Sequence, residues 1–472
     1  MSQLQLATTD VSLPLDLAHP LRAHLVGVCG SGMKALAEFL SDSGWKLTGS
    51  DQDEVAVSRS FALQSRGIKI TSGHHPGALP ADTQILIYSP AIPPRNAERI
   101  RAAELGIHQI SYNDLLGQLM RDRCGLVVTG THGKSTTTAI LAHLLMAADR
   151  SPSVIIGAET RNESHWSGKR GSGNDFIVEG CEYRRNFLKL SPTHGIILGI
   201  EPDHFDYFTS FDDTIAAFRE FAQSLPSHGL LSVRAGDPAV AASTGNVACQ
   251  IETFSISSPA DWTAANIRRS AGWTEFDVYH HGRHLLSTRL SLPGLHNVEN
   301  GLAAISLATR IGTPPDLIAR SLPAFLGIHR RFEPVHLQHG VTWIDDYAHH
   351  PTAIRATLRA AREEYPSARI RVLFQPHQAN RTEHLLEQFA DSFAEADDVL
   401  IAPVFGAREH PPASQTSISQ RLAERISLHG PPAAFVDTLD LLRARGEDGL
   451  RNGDVVLMIG AGDINRIQHG ST

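Results

Sequence analysis

The chain has few cysteines, no long apolar segment and no excess of positive charge. Its four cysteines lie far apart and form no Cys-x-x-Cys pair, which argues against a structural zinc site or a disulfide framework. The 50 acidic residues outnumber the 42 lysines and arginines, and a net charge of −8 argues against a nucleic-acid partner. No stretch approaches the ~20 apolar residues of a membrane span, and the N-terminus lacks a secretory signal pattern. We therefore expect a cytoplasmic protein with reduced cysteines and no membrane partner.

The length and the hydrophobic pattern predict several α/β domains. The 472 residues correspond to about three domains of roughly 150 residues each. Short apolar runs alternate with helical stretches, which is typical of parallel sheets. We predict a polar N-terminal arm over residues 1–20, followed by domains over 21–120, 121–327 and 328–472. The predicted strands include 24–28, 125–129, 176–178, 195–198, 370–374 and 455–459, and a β-hairpin is predicted over 276–292 with its turn at 281–282.

A glycine-rich segment between a predicted strand and a predicted helix has the pattern of a phosphate-binding loop. Backbone N–H groups and the helix N-terminus offer partial positive charge to a polyphosphate, Lys134 adds a full charge, and Ser135 offers an oxygen to Mg²⁺. The loop is a variant, because Val128 stands where the general pattern has its first glycine. The residues expected to bind ATP here are Gly130, Thr131, His132, Gly133, Lys134, Ser135 and Thr136.

A second glycine-rich turn follows the first predicted strand. Its residues Gly30, Ser31, Gly32 and Met33 open a helix, and Asp51 ends the next strand. This arrangement suits a nucleotide diphosphate, with the acid near a ribose or a base edge. The spacing G-x-x-G-x-G differs from the dinucleotide fingerprint, so a nicotinamide cofactor is weakly indicated and a tight packing turn remains an alternative.

Several motifs, in order along nearly the whole chain after residue 20, resemble the Mur ligase family, which joins amino acids to UDP-N-acetylmuramate. The phosphate loop reads GTHGKSTTT, and the first glycine-rich turn lies within a segment similar to the UDP-sugar domain of that family. The other matching segments are LPGLHNVENGLAA (292–304), HRRF (329–332), DDYAHHPT (345–352), LFQPHQANRT (373–382) and IGAGDI (459–464).

The resemblance implies a three-domain enzyme: a Rossmann-like UDP-binding domain, a central P-loop ATPase-like domain and a C-terminal Rossmann-like domain. It implies a monomer or weak homodimer that uses ATP and two Mg²⁺ ions to form an amide through an acyl phosphate. Such chemistry depends on positioning and charge neutralisation more than on a protein nucleophile. The expected substrates are UDP-N-acetylmuramate and L-alanine.

The resemblance also implies roles for individual residues. Ser135, Glu179 and His204 match the metal ligands, and Lys134, Arg331 and His349 join Glu179 and His204 as catalytic residues. His296, Asn297 and Asn300 match the residues around adenine, although helix capping by Asn297 is an equal alternative from sequence alone. Arg330 and Asp345 complete the ATP site. The substrate residues are Gly30, Ser31, Gly32, Met33, Asp51, Glu182, Tyr347 and Arg381, with Arg381 expected on the α-carboxylate of the amino acid and Glu182 on its ammonium group.

Three departures from the family pattern leave the amino acid open. Cys181 and Arg184 replace two carboxylates near the expected amine site, and Gln378 stands where alanine-adding enzymes usually carry arginine. The runner-up activity is attachment of a preformed tripeptide to the same nucleotide sugar. A nicotinamide-dependent oxidoreductase leaves the ATP loop unexplained, and a nucleotide switch leaves the C-terminal domain without a purpose.

Overall fold

In this computed structural model the chain is described over residues 19–162, 164–338, 340–406 and 415–469. The described residues form three sheets in succession, which agrees with the predicted three-part α/β fold. The predicted N-terminal arm lies, up to residue 18, outside the described residues. Within the described ranges, no helix is both long enough and apolar enough to cross a membrane.

The first sheet has five parallel strands in the order β3-β2-β1-β4-β5. Its first helix buries Met33, Leu36 and Leu40, whose spacing of three and four residues places them on one face. The elements are β1 (Arg22–Val26), α1 (Ser31–Asp42), β2 (Lys46–Asp51), α2 (Glu54–Ser58), α3 (Phe61–Gln64), β3 (Lys69–Ser72), β4 (Ile85–Tyr88), α4 (Ala97–Glu104), β5 (His108–Ser111) and α5 (Tyr112–Met120).

The central sheet has ten strands in the order β15-β14-β13-β12-β11-β10-β6-β9-β7-β8. The predicted hairpin is present as β14 and β15, and its turn has positive φ at His281 and Gly282, as a two-residue hairpin turn requires. The elements are β6 (Cys124–Thr129), α6 (Lys134–Ala147), β7 (Ser153–Ile155), β8 (Gly168–Lys169), β9 (Asp175–Glu179), β10 (His194–Ile197), α7 (Phe211–Gln223), β11 (Leu230–Arg234), α8 (Pro238–Ser243), β12 (Gln250–Ser255), β13 (Trp262–Ser270), β14 (Trp273–His280), β15 (Arg283–Leu290), α9 (Leu295–Arg310) and α10 (Pro315–Ser321).

The third sheet has six strands in the order β16-β17-β21-β18-β19-β20, and only β16 runs antiparallel to its neighbour. Its central strands β18 and β21 are buried at every position because helices cover both faces of a parallel sheet. The elements are β16 (Glu333–Gln338), β17 (Val341–Asp346), α11 (Pro351–Glu364), β18 (Ile370–Phe374), α12 (Ala379–His384), α13 (Leu386–Ala390), β19 (Asp398–Ile401), α14 (Gln415–His429), β20 (Ala433–Phe435), α15 (Leu439–Glu447) and β21 (Val455–Ile459).

The first and central sheets share one hydrophobic core across the predicted boundary near residue 120. Phe39 of α1 stacks on Phe176 of β9, with ring centroids 5.4 Å apart. The buried Glu38 carboxylate accepts hydrogen bonds from the backbone N–H groups of Ser167 and Gly168 at 2.7 and 2.8 Å. Burial raises the pKa of Glu38 above its usual value. The boundary therefore separates two sheets rather than two independent cores.

Candidate active site

The phosphate loop lies between β6 and α6 and needs its second glycine. Gly133 has φ +80°, and a Cβ there would overlap Oδ1 of Asn300. The helix that follows begins with Lys134, Ser135 and Thr136, so its N-terminus carries a cation and two hydroxyl groups. The segment over 130–136 therefore has a shape and charge that suit a polyphosphate.

Lys134 lies at the end of a short row of charged side chains. Its Nζ is 2.9 Å from Oε2 of Glu182 and donates to the carbonyl of Gly130 at 2.6 Å. The other carboxylate oxygen of Glu182 is 3.3 Å from Nε2 of His204. Burial alone would lower the pKa of Lys134 and raise that of Glu182, but their attraction outweighs it: the pKa of Lys134 is raised and that of Glu182 falls to about 2. Glu182, expected to bind the amino acid's ammonium group, is thus already shared between Lys134 and His204.

Two of the three predicted metal ligands lie in contact. The Ser135 hydroxyl donates to Oε1 of Glu179 at 3.0 Å, and the N–H of Gly157 donates to Oε2 at 2.7 Å. A hydroxyl and a carboxylate side by side are oxygen ligands of the kind that Mg²⁺ prefers. His204 does not join this pair and instead contacts Glu182. The three predicted metal ligands therefore do not form a single cluster: Ser135 and Glu179 are in contact, and His204 lies apart from them, against Glu182.

The two arginines that open the C-terminal region differ in their surroundings. Arg330 donates to the carbonyl of Gly460 at 2.6 Å, and its Nε lies 3.4 Å from a carboxylate oxygen of Asp345. The Arg330 guanidinium, predicted on phosphate, and the Asp345 carboxylate, predicted near the ribose, are therefore both bonded within the protein. Arg331 forms no hydrogen bond or ion pair with any residue that the structure describes, and it lies 5.1 Å from the Tyr347 ring. Of the pair, Arg331 is the one available to a phosphate.

Arg381 occupies a different position from the one expected of a substrate ligand. It forms a two-point ion pair with Asp203, at 2.7 and 3.2 Å, and the two side chains are only 3% and 9% exposed. Burial would raise the pKa of Asp203, but Arg381 and His204 bring it well below its usual range. An α-carboxylate would have to share Arg381 with Asp203. The sequence reasoning missed Asp203, although it adjoins His204 in the segment Glu201-Pro202-Asp203-His204.

His349 lies near the same ion pair. Its Nδ1 is 2.8 Å from the carbonyl oxygen of Tyr347, and its ring centroid is 5.7 Å from that of His377. Burial, together with the charges of Arg381 and His377, lowers the pKa of His349 well below its usual value. The imidazole is therefore neutral near neutral pH, with its proton on Nδ1, which leaves Nε2 as a hydrogen-bond acceptor.

The residues predicted around adenine bond mostly to one another. The side-chain amide of Asn297 donates to the carbonyl of Pro293 at 2.7 Å and accepts from the amide of Asn300 at 3.2 Å. Asn300 lies against Gly133, as its overlap with a Cβ there indicates. Helix capping by Asn297, the alternative raised from the sequence, is not what the structure has: the N-cap of α9 is Gly294, without a side-chain cap hydrogen bond, and Asn297 donates to the carbonyl of Pro293 instead. Burial lowers the pKa of His296 to about 4, which leaves a neutral ring beside this pair.

The first glycine-rich turn is braced by the acid that follows it. Oδ2 of Asp51 accepts from the N–H of Cys29 at 2.8 Å, so this carboxylate, expected near a ribose, holds the turn. Gly30 precedes the uncharged first turn of α1, formed by Ser31, Gly32 and Met33. The Met33 side chain is 3% exposed and packs in the core, so only its backbone could meet a ligand.

A group of three side chains near the loop was not recognised from the sequence. Nε2 of His132 and Nδ1 of His350 each lie 3.5 Å from Oε2 of Glu201. Burial lowers the pKa of His350 to about 4. Burial would raise the pKa of Glu201, but the two imidazoles and a hydrogen bond from Thr352 lower it to about 2. The signal in the sequence was the pair of motifs Glu201-Pro202-Asp203-His204 and His349-His350-Pro351.

Three family models match successive parts of the chain. The model described as "Mur ligase family, catalytic domain" matches residues 22–123. "Mur ligase middle domain" matches residues 128–308. "Mur ligase, glutamate ligase domain" matches residues 330–462.

Similar proteins align along almost the full length of the chain. The UDP-N-acetylmuramate–L-alanine ligase of Clostridium novyi is 36% identical over 94% of this chain and 96% of its own length. That of Desulfitobacterium hafniense is 38% identical over 95% and 98%. The crystal structure of the UDP-N-acetylmuramate–alanine ligase of Thermotoga maritima has a TM-score of 0.79 at 29% identity and covers 95% of this chain and 97% of its own. A murein peptide ligase of Psychrobacter arcticus, 24% identical with a TM-score of 0.72, covers 95% of this chain and 97% of its own and shares the fold.

Proposed function

The chain belongs to the Mur ligase family, and we propose that it is the ATP-dependent ligase that joins the carboxylate of UDP-N-acetylmuramate to the amino group of L-alanine. The family predicted from the motifs is thereby confirmed, as is the three-part α/β fold. The observation that carries the activity is the alignment, over 94% or more of this chain, with two ligases named for that reaction. The reaction is a step of peptidoglycan precursor synthesis.

The alternatives raised from the sequence have less support. The murein peptide ligase is 24% identical and indicates the fold alone, so attachment of a tripeptide is not favoured. An oxidoreductase would leave the loop over 130–136 and the C-terminal sheet without a role, and a nucleotide switch would leave that sheet unexplained. Cys181, Arg184 and Gln378 still make the choice of amino acid the point to test.

ATP fits the loop because the glycines, Lys134 and the start of α6 offer the donors that a triphosphate needs. When bound, ATP supplies the phosphoryl group that converts a carboxylate into an acyl phosphate. Ser135 and Glu179 would hold one Mg²⁺, and His204 with Glu182 would hold the second; two ions are part of the proposal. The nucleotide sugar is assigned to the uncharged first turn of α1, behind Gly30.

The chain's own residues would carry out two further tasks at this site. Arg331 is available to neutralise charge on a transferring phosphoryl group, because among the described residues it contacts the Tyr347 ring but forms no hydrogen bond or ion pair. His349 lies near Arg381, and its neutral ring leaves Nε2 as a hydrogen-bond acceptor, so it can orient the amine for attack. Tyr347 lies beside both and would line the amino acid site. A cytoplasmic location and a monomer or weak homodimer remain predictions.

The experiment that tests the activity is a substrate matrix. UDP-N-acetylmuramate and UDP-N-acetylglucosamine are each paired with L-alanine, glycine, L-serine and a muramyl-type tripeptide, and phosphate release is measured. We expect release only with UDP-N-acetylmuramate and an amino acid, and most with L-alanine. A preference for the tripeptide would replace the alanine assignment, and equal release of ADP with neither substrate present would contradict a ligase.

A further inference from the structure

Three side chains from separate parts of the chain meet beside the phosphate loop. His132 belongs to that loop, Glu201 follows β10 in the central region, and His350 precedes α11 of the C-terminal region. One nitrogen of each imidazole and one carboxylate oxygen all lie within 4.8 Å of one another. The group therefore spans the contact between the loop and the C-terminal sheet.

The hydrogen bonds around His350 leave a buried lone pair directed at a carboxylate. Nε2 of His350 lies 3.3 Å from the carbonyl oxygen of Pro202, which can only accept, so Nε2 carries the proton. In the neutral ring Nδ1 is then an unprotonated acceptor, and it faces Oε2 of Glu201 at 3.5 Å. The His350 side chain is 5% exposed, and Nδ1 has no hydrogen-bond partner among the described residues.

His132 places a second imidazole nitrogen near the same carboxylate oxygen of Glu201. Its Nε2 lies 3.5 Å from the same oxygen, is buried, and also has no hydrogen-bond partner within the described ranges. The Thr352 hydroxyl donates its one proton to that oxygen at 2.7 Å, so it serves neither imidazole. The unprotonated Nδ1 of His350 and the Glu201 carboxylate oxygen are both acceptors, and two acceptors that face each other are unfavourable unless a cation lies between them.

The ligand set fits a transition metal better than Mg²⁺. Two imidazole nitrogens and one carboxylate oxygen are a combination found around Zn²⁺, whereas Mg²⁺ prefers oxygen ligands alone. Tetrahedral Zn²⁺ with bonds of about 2.0–2.1 Å places its ligand atoms about 3.3–3.4 Å apart. The observed 3.5 Å from each nitrogen to the oxygen is close to that spacing. Glu201 and His132 are 31% and 28% exposed, which leaves room for solvent as a fourth ligand.

We propose that His132, Glu201 and His350 bind one divalent transition-metal ion of the Zn²⁺ class between the phosphate loop and the C-terminal region. This site is separate from Ser135 and Glu179, which use oxygen ligands. The carbonyl of Pro202 orients His350 by accepting its other ring proton, as outer partners of metal-bound histidines do. An ion there ties the loop to the C-terminal sheet, so it stabilises the packed arrangement of the two regions.

The test is Zn²⁺ binding by the full chain after metal removal. Zn²⁺ is titrated against a chromophoric chelator with Mg²⁺ in large excess, and Co²⁺ absorption reports the ligand geometry. We expect one ion per chain, a tetrahedral Co²⁺ spectrum and a Zn²⁺-dependent rise in Tm. In His350→Ala we expect affinity to fall by at least about 10- to 100-fold, the usual effect of losing even an outer partner, and the Co²⁺ spectrum to be lost.

Two controls locate the ion. His281→Ala alters a second group of possible ligands, Glu252, His280 and His281, and should leave Zn²⁺ binding unchanged. His204→Ala alters the point proposed for the second Mg²⁺ and should also leave it unchanged. Loss of the ion in either control with retention in His350→Ala would overturn the proposal, as would a parent chain that binds no Zn²⁺. If His350→Ala does not fold, Glu201→Gln, which keeps the acceptor for Thr352 and removes the charge, decides in the same way.

Discussion

The buried ion pair between Asp203 and Arg381 offers a prediction whose size follows from the structure. Arg381→Met removes the guanidinium while keeping an unbranched side chain of considerable length. The partner carboxylate is 9% exposed and then lacks the cation that lies 2.7 Å away in the parent. Removing one member of a buried pair usually costs about 3–5 kcal/mol, because the other charge stays buried without compensation. We expect a loss of that order in urea unfolding followed by far-UV circular dichroism near pH 7.

The pH dependence of this loss has a definite sign. In the parent, the pKa of Asp203 is well below its unfolded value, so its contribution to stability is present above about pH 4 and is lost as the pH falls toward the folded pKa. In Arg381→Met, burial raises the pKa of Asp203 above the unfolded value, so protonation at lower pH relieves the buried charge. The difference between parent and variant should therefore shrink from about pH 7 to about pH 4.

A double-mutant cycle separates the pair from other effects of the substitutions. Asp203→Asn keeps the oxygen that accepts from the N–H of His204 at 2.7 Å, so it removes mainly the charge. The double variant should lose less stability than the sum of the single variants, with a coupling energy of about 0.5–3 kcal/mol. Additive losses, or a difference from the parent that grows as the pH falls, would refute this account of the ion pair.

The remaining predictions concern the phosphate loop. Lys134→Ala should lower kcat by at least about 100-fold, the usual effect of losing a donor to developing charge, with an unchanged circular dichroism spectrum; the exposed Lys189→Ala should have normal turnover. Ser135→Thr should keep activity because the hydroxyl remains, whereas Ser135→Ala should raise the Mg²⁺ concentration needed for half-maximal turnover. If the parent and Ser135→Ala need the same Mg²⁺ concentration, Ser135 is not a metal ligand. Gly133→Ala should abolish ATP binding in calorimetry, because the new Cβ overlaps the Asn300 side chain. Gly67 also has a positive φ, +78°, but has open space around it, so Gly67→Ala should bind ATP normally and cost only about 1–2 kcal/mol of stability.

The fold could be predicted best where burial dictates the sequence. Strands β18 and β21 were predicted residue for residue, because strands covered on both faces read as runs of apolar residues: β21 has five in succession, and β18 has four, interrupted by Arg371. The two-residue strand β8 and the edge strand β16, which carries Pro334, have no such pattern and were not predicted. Their pairing depends on neighbouring strands rather than on their own residues.

The same distinction applies to the candidate site. The contact between Ser135 and Glu179 agrees with the sequence pattern, since Glu179 ends β9 and Ser135 begins the helix that follows the loop after the neighbouring strand β6. The pair formed by Asp203 and Arg381 joins residues 178 positions apart across two sheets. No local pattern encodes which arginine meets which carboxylate over such a separation, so Arg381 was assigned to the substrate instead.

The joint between α1 and the central sheet limits how this chain could be recombined with relatives. The Glu38 carboxylate accepts from backbone N–H groups of residues 167 and 168, so its partners do not depend on the side chains there. Position 168 itself must be glycine, because a Cβ there would overlap the carbonyl of Ala35. A graft that exchanged residues 21–120 alone would therefore need to bring a carboxylate at position 38 and a flat ring at 39 to meet Phe176, and the recipient would need glycine at 168. The first and central sheets are therefore best exchanged together as one unit.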